Sequence, residues 1–129
     1  MKQVIVGTYE MGHECVELVI REDMGGEYYT IPEKGHVARI KIGVDYKRWD
    51  EVVAVLLHEA MEFQADRHLA RFRPTQDLSG DQHWYLFVLT HEQFSDCCAK
   101  VAEFLTVCLP ELATAWKKWN KKRKVGKKP

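Results

Sequence analysis

Within Leu56-Leu57-His58-Glu59-Ala60-Met61-Glu62-Phe63, one imidazole and two carboxylates crowd into a short stretch. His58 and Glu62 are four residues apart, so a helix stacks them one turn above the other on one face. An imidazole nitrogen and a carboxylate oxygen so placed can share one zinc ion at about 2.0–2.2 Å from each. Glu59, beside His58, stands where a general base could draw a proton from metal-polarised water. The third ligand has no equally clear spacing. His68 and His83 are the candidates, and His91 flanks the same strand-like stretch as His83. On an unbroken helix His68 turns about 80° away from His58 and lies a full turn beyond Glu62. A second reading of these residues is an ordinary amphipathic helix. In it Glu59, Glu62, Asp66 and Arg67 form a solvated face, and His58 bonds a carbonyl.

The run apolar-apolar-His-Glu-Ala, following an alternating strand-like stretch, resembles the active helix of zincin metallopeptidases over about a dozen residues. That family carries H-E-x-x-H, in which two histidines bind zinc and the glutamate between them activates water. The resemblance implies His58 as the first ligand, Glu59 as the base and zinc as the cofactor. Glu62 stands where the family has its second histidine. Three outcomes stay open: an atypical His/Glu site, a harder metal, or a pseudoenzyme that kept the helix and lost the ion. His68 has the spacing of the last ligand in the metzincin pattern H-E-x-x-H-x-x-G-x-x-H, but Ala65 replaces the glycine that turns that chain. Two functions follow. One is a zincin-like, peptidase-like hydrolase. The other is a non-catalytic interaction protein that keeps the helix as scaffold and binds a protein or peptide partner. In size and charge layout the chain is similar to small phage and prophage products.

A helix carrying such a site needs a sheet behind it. Asp45 or Asp50 can cap a helix reaching about Phe72, where Arg73-Pro74 stops it. Its apolar stripe would be Val52, Val53, Leu56, Leu57, Ala60 and Phe63. Upstream, Lys2–Gly7 and Glu14–Arg21 read as strands, Met24-Gly25-Gly26-Glu27 as a hairpin turn, and Tyr28–Ile31 as the returning strand. Val37–Gly43 alternates, with Ala38, Ile40 and Ile42 on one face. Residues 74–83 read as a polar loop and Trp84–Leu89 as a buried strand. Thr90-His91-Glu92-Gln93 is a capping box opening a second helix, with Phe94, Cys98, Val101, Leu105 and Cys108 on its apolar face. Pro110 either ends that helix or begins a short last one bearing Leu112, Trp116 and Trp119. The pattern predicts an α+β domain. About four to five antiparallel strands would pack against two main helices, with a short C-terminal helix.

Length and composition fit one domain that needs neither metal nor disulfide to fold: 129 residues, 46% hydrophobic. The formal charge of zero conceals an asymmetry. Residues 117–129 hold eight basic and no acidic side chains, leaving eleven basic against all nineteen acidic ones in 1–116, a formal −8. Residues 1–116 are therefore read as the domain and 117–129 as a flexible basic tail able to touch nucleic-acid phosphates non-specifically. The acidic body argues against a broad nucleic-acid face. Cys15, Cys97, Cys98 and Cys108 form no C-x-x-C pair and read as reduced cytoplasmic thiols. No apolar run approaches the ~20 residues of a membrane span, and the N-terminal run is too short for a secretory leader. The chain has no G-x-S-x-G elbow, Walker loop or dinucleotide fingerprint.

Overall fold

The computed structural model describes residues 2–30, 37–72 and 86–126. Among these lie strands β1 (Gln3–Met11), β2 (Glu14–Arg21), β3 (Gly26–Tyr29) and β4 (Ala38–Gly43), then helix α1 (Trp49–Arg67). Two short strands, β5 (Arg71–Phe72) and β6 (Leu86–Phe87), precede helix α2 (His91–Gly126). The architecture is α+β. A four-stranded sheet of order β1-β2-β4-β3 carries both helices, and β5-β6 form a separate two-stranded ladder.

The expected antiparallel sheet is mixed. β2 and β4 run parallel, Val16 opposite Ala38 and Arg21 opposite Gly43, while β1–β2 and β3–β4 are antiparallel. The turn after β2 does not return β3 alongside it. Instead the connection crosses the end of β4, so that β4 lies between them. Main-chain bonds hold the crossing: Gly43 N–H donates to Gly25 carbonyl at 2.7 Å and Asp45 N–H to Asp23 carbonyl at 3.1 Å. Any Cβ at Gly43 would collide with the Asp23 carbonyl, so only glycine admits the passing chain.

Period-two alternation then builds the core. Val16, Leu18 and Ile20 of β2 and Ala38, Ile40 and Ile42 of β4 are buried, meeting Val52, Leu56, Ala60 and Phe63 of α1. α1 rests on β3 and β4, and α2 on β1, and the helices touch each other. On α1, Leu57 is exposed and Val53 half-buried, so the apolar stripe is narrower than expected. Glu59, Gln64 and Ala65 are buried beside it. The helix begins after Arg48, which no side chain caps; Asp50 instead binds the Arg48 guanidinium, and Asp45 pairs with Arg123. It ends at Arg67, not near Phe72. Leu69 turns into the left-handed region at φ 55°, and Ala70 N–H then donates to Ala65 carbonyl, closing the helix end.

The capping box forms as read. Thr90 N–H donates to Gln93 Oε1 at 2.9 Å, and Gln93 N–H to Thr90 Oγ1 at 3.1 Å. The helix it opens differs in two ways. Its buried face is Cys97, Val101, Phe104, Cys108 and Leu112, with Phe94 and Cys98 exposed. It also passes through Pro110 as one helix, so the short separate C-terminal helix is absent and residues 117–126 of the basic segment are helical. A proline inside a helix costs about 3 kcal/mol, and burial of Phe104, Cys108 and Leu112 on either side offsets it. Burial also pushes the Cys108 thiol up to about 12, and all four cysteines are unbridged. Trp84 and Tyr85 lie outside the described residues; Leu86 and Phe87 form a strand of two residues that is exposed rather than buried.

Candidate functional site

Helical periodicity delivers the first pair. His58 Nε2 lies 3.5 Å from Glu62 Oε1. Two ligands about 2.1 Å from a tetrahedral ion stand roughly 3.4 Å apart, so this separation suits a shared zinc. The His58 side chain is 64% exposed and that of Glu62 18%, which places the pair at the surface with the imidazole outermost. Ligand atoms of His58, Glu59 and Glu62 all fall within 4.8 Å of one another. Together they form a donor set of one imidazole and two carboxylates that could hold a divalent cation.

Glu59 is positioned by tertiary structure. Its side chain runs inward, against β3, where a Cβ built on Gly26 would stand 2.7 Å from Glu59 Cγ and 3.1 Å from Oε1. A glycine is what lets the carboxylate lie on the strand. Burial raises the Glu59 pKa above the ordinary carboxyl value and the neighbouring Glu62 raises it further, while His58 and Arg71 oppose the rise. A carboxyl so perturbed holds its proton to higher pH than a solvated one does.

Three residues beside Glu59 carried no signal as site residues. Tyr28 of β3 sets its ring edge-on to Phe63, centroids 6.1 Å apart, and the Arg71 guanidinium lies 5.5 Å from the Tyr28 ring centre. The Tyr28 hydroxyl is buried and has no hydrogen-bond partner among the described residues. Burial raises its pKa; Arg71 opposes the rise and Asp66, Glu62 and Glu59 add to it. Gly26 is the third. Its Gly-Gly signature was legible only as a turn, since nothing local links position 26 to position 59.

The candidate third ligands divide. His68 is not brought to His58: its Nε2 lies 2.9 Å from Asp96 Oδ2 on α2, an oxygen shared with Lys100 Nζ at 2.8 Å. This contact ties the C-terminal end of α1 to α2, and both hydrogen bonds hold the Asp96 carboxyl below its usual range. His83 lies outside the described residues, as does His36. His91 is the exposed first residue of α2, and His13 is exposed after β1. The described residues thus fit a divalent ion with His58 and Glu62 as ligands and Glu59 adjacent.

No protein-family model, curated protein or solved structure matches the chain.

Proposed function

We propose that this protein is a metal-dependent hydrolase acting on peptide carbonyls, with His58 and Glu62 holding zinc and Glu59 as general base. One observation carries the reading: a histidine and two carboxylates converge within 4.8 Å beside β3, an edge strand of the sheet. When bound, the ion lowers the pKa of water and polarises a carbonyl oxygen. The buried Glu59 carboxylate accepts the proton of the attacking water and returns it to the departing amine. Burial raises its pKa above that of a solvated carboxylate, which makes it a stronger base than an ordinary glutamate. β3 offers main-chain N–H and C=O groups along Gly26–Tyr29, against which an extended peptide can pair. His83 is the remaining candidate for the third ligand. Four unbridged thiols suit a reducing, cytoplasmic setting, and no described helix is long and apolar enough to cross a membrane.

The test is metal analysis of protein purified without chelator, with His58→Ala and Glu62→Ala alongside. One equivalent of zinc, lost in either variant, is the expected result; Glu59→Gln should retain zinc and fail to cleave a fluorogenic peptide pool. Metal-free wild type whose melting temperature ignores added zinc would overturn the hydrolase. The second reading, a small interaction protein of phage type using α1 as scaffold, is favoured by the engagement of His68 with Asp96. It would be supported by that same metal-free result.

A further inference from the structure

The last turns of α2 carry Lys117, Lys118, Lys121, Lys122, Arg123 and Lys124. Arg123 is paired with Asp45, but among the described residues none of these lysines enters an ion pair. Where this helix passes the start of β1 there is a groove of about 120 Å³, lined by Ile20, Ala115 and Trp119 and by Lys2, Lys118 and Lys122. Among the described residues no carboxylate lines it. The Lys2 ammonium lies 5.5 Å from the centre of the Trp119 ring, while Glu22 accepts only from the Lys2 main-chain N–H, at 3.4 Å. The groove thus combines an apolar wall, an indole and three ammonium groups on two elements distant in sequence. Its volume is slightly below the ~150 Å³ that takes up a benzene ring, so one flat ring can seat in part.

We propose that this groove binds single-stranded nucleic acid, one base stacking beside Trp119 while Lys2, Lys118 and Lys122 take the adjoining phosphates. Stacking on an aromatic side chain next to basic residues is the usual means of holding an unpaired strand regardless of sequence. The charge layout narrows the partner further. Residues 117–129 hold eight basic side chains, six of them on the helix, against a formal −8 in residues 1–116, so a polyanion is attracted at one end of the chain only. A duplex needs a broad basic face, which the acidic body denies it. A lipid surface needs a free apolar helix face, and here that face is engaged. Trp116 Nε1–H donates to the Val44 carbonyl at 3.2 Å and Trp116 packs against the core, whereas Trp119, only partly buried against the core, also lines the groove.

Fluorescence anisotropy of the full chain with a labelled oligothymidylate of about 20 nucleotides, across a KCl series, tests the proposal. Three phosphate contacts give a slope of log affinity on log salt of about −2. Two charge swaps of equal net change separate the groove from diffuse attraction: Lys118→Glu with Lys122→Glu, and Lys117→Glu with Lys121→Glu. The first pair should weaken binding at least about tenfold more than the second. Equal losses in both variants would overturn the groove. So would equal wild-type affinity for a duplex of the same length or for phosphatidylserine vesicles, or no binding at about 50 mM KCl. The wild-type comparisons stand even if a swapped variant melts early.

Discussion

Gly26→Ala isolates the contact on which the placement of Glu59 depends. The new methyl carbon would sit 2.7 Å from Glu59 Cγ and 3.0 Å from Cδ. Carbon atoms pack best at about 3.5–4.0 Å, so the carboxylate arm must withdraw by about 0.8 Å or more. Glu59 is 6% exposed and has little room to retreat. Overpacking of this kind costs about 1–3 kcal/mol. Gly26 does not occupy the left-handed region, so alanine is otherwise welcome there and would stabilise the strand by roughly 0.5–1 kcal/mol. The two effects separate in a double-mutant cycle with Glu59→Ala, measured by urea denaturation of metal-free protein at neutral pH. In the wild-type background Gly26→Ala should destabilise; in the Glu59→Ala background it should be neutral or stabilising, a coupling of about 1–3 kcal/mol. If the hydrolase reading holds, the displaced base also costs roughly a hundredfold in turnover. Equal destabilisation in both backgrounds would refute the reasoning, because Glu59 would then not be the neighbour the methyl group strikes.

Glu59→Gln addresses the electrostatics of the same residue. Because the folded-state pKa is raised, the contribution of Glu59 to stability is fully present below its unfolded value, near 4.5, and is lost as pH rises through the folded value. In chelator, the variant should match wild type at about pH 4 and exceed it by pH 8, as followed by thermal melts; a difference that stays flat across this range would contradict the raised pKa. Leu69→Gly should raise stability by up to about 1 kcal/mol in urea titration, since the left-handed φ of 55° strains a side chain that is 78% exposed and loses no burial. Destabilisation on that substitution would show that Leu69 contributes contacts outweighing its backbone strain.

Local periodicity set what was legible. His58 and Glu62 meet because four residues of helix bring any two side chains onto one face, and Thr90 and Gln93 cap α2 by rules acting within a single turn. The face of α2 was less determined. Two series at spacings of three and four coexist, one through Phe94, Cys98 and Leu105, the other through Cys97, Phe104 and Leu112, sharing Val101 and Cys108. The second is the more deeply buried and continues past Pro110 to Leu112, Trp116 and Trp119, while Leu105 and Leu109 flank it as partly buried neighbours. Reading Pro110 as the end of the helix or the start of a separate short one split Leu112, Trp116 and Trp119 from the turns before them. That proline is tolerated on the exposed side of the helix, where Thr106, whose carbonyl loses its helical donor, is an exposed residue too.

Sheet order was not legible at all, since alternation of period two fixes which face of a strand is buried and leaves its neighbour unspecified. The consequence falls on the candidate site. Had β3 returned directly beside β2, as Met24–Glu27 suggested, β4 would have been the edge. Glu59 would then face a strand whose inward positions are Ala38, Ile40 and Ile42, with no gap for a carboxylate. Because the connection crosses Gly43 and sets β3 outermost, Gly26 arrives under α1 and leaves that gap. The His58–Glu62 pair is thus a property of one helix, whereas the placement of Glu59 is a property of the crossover. A bulkier residue at Gly43 should accordingly disturb Glu59 without touching it.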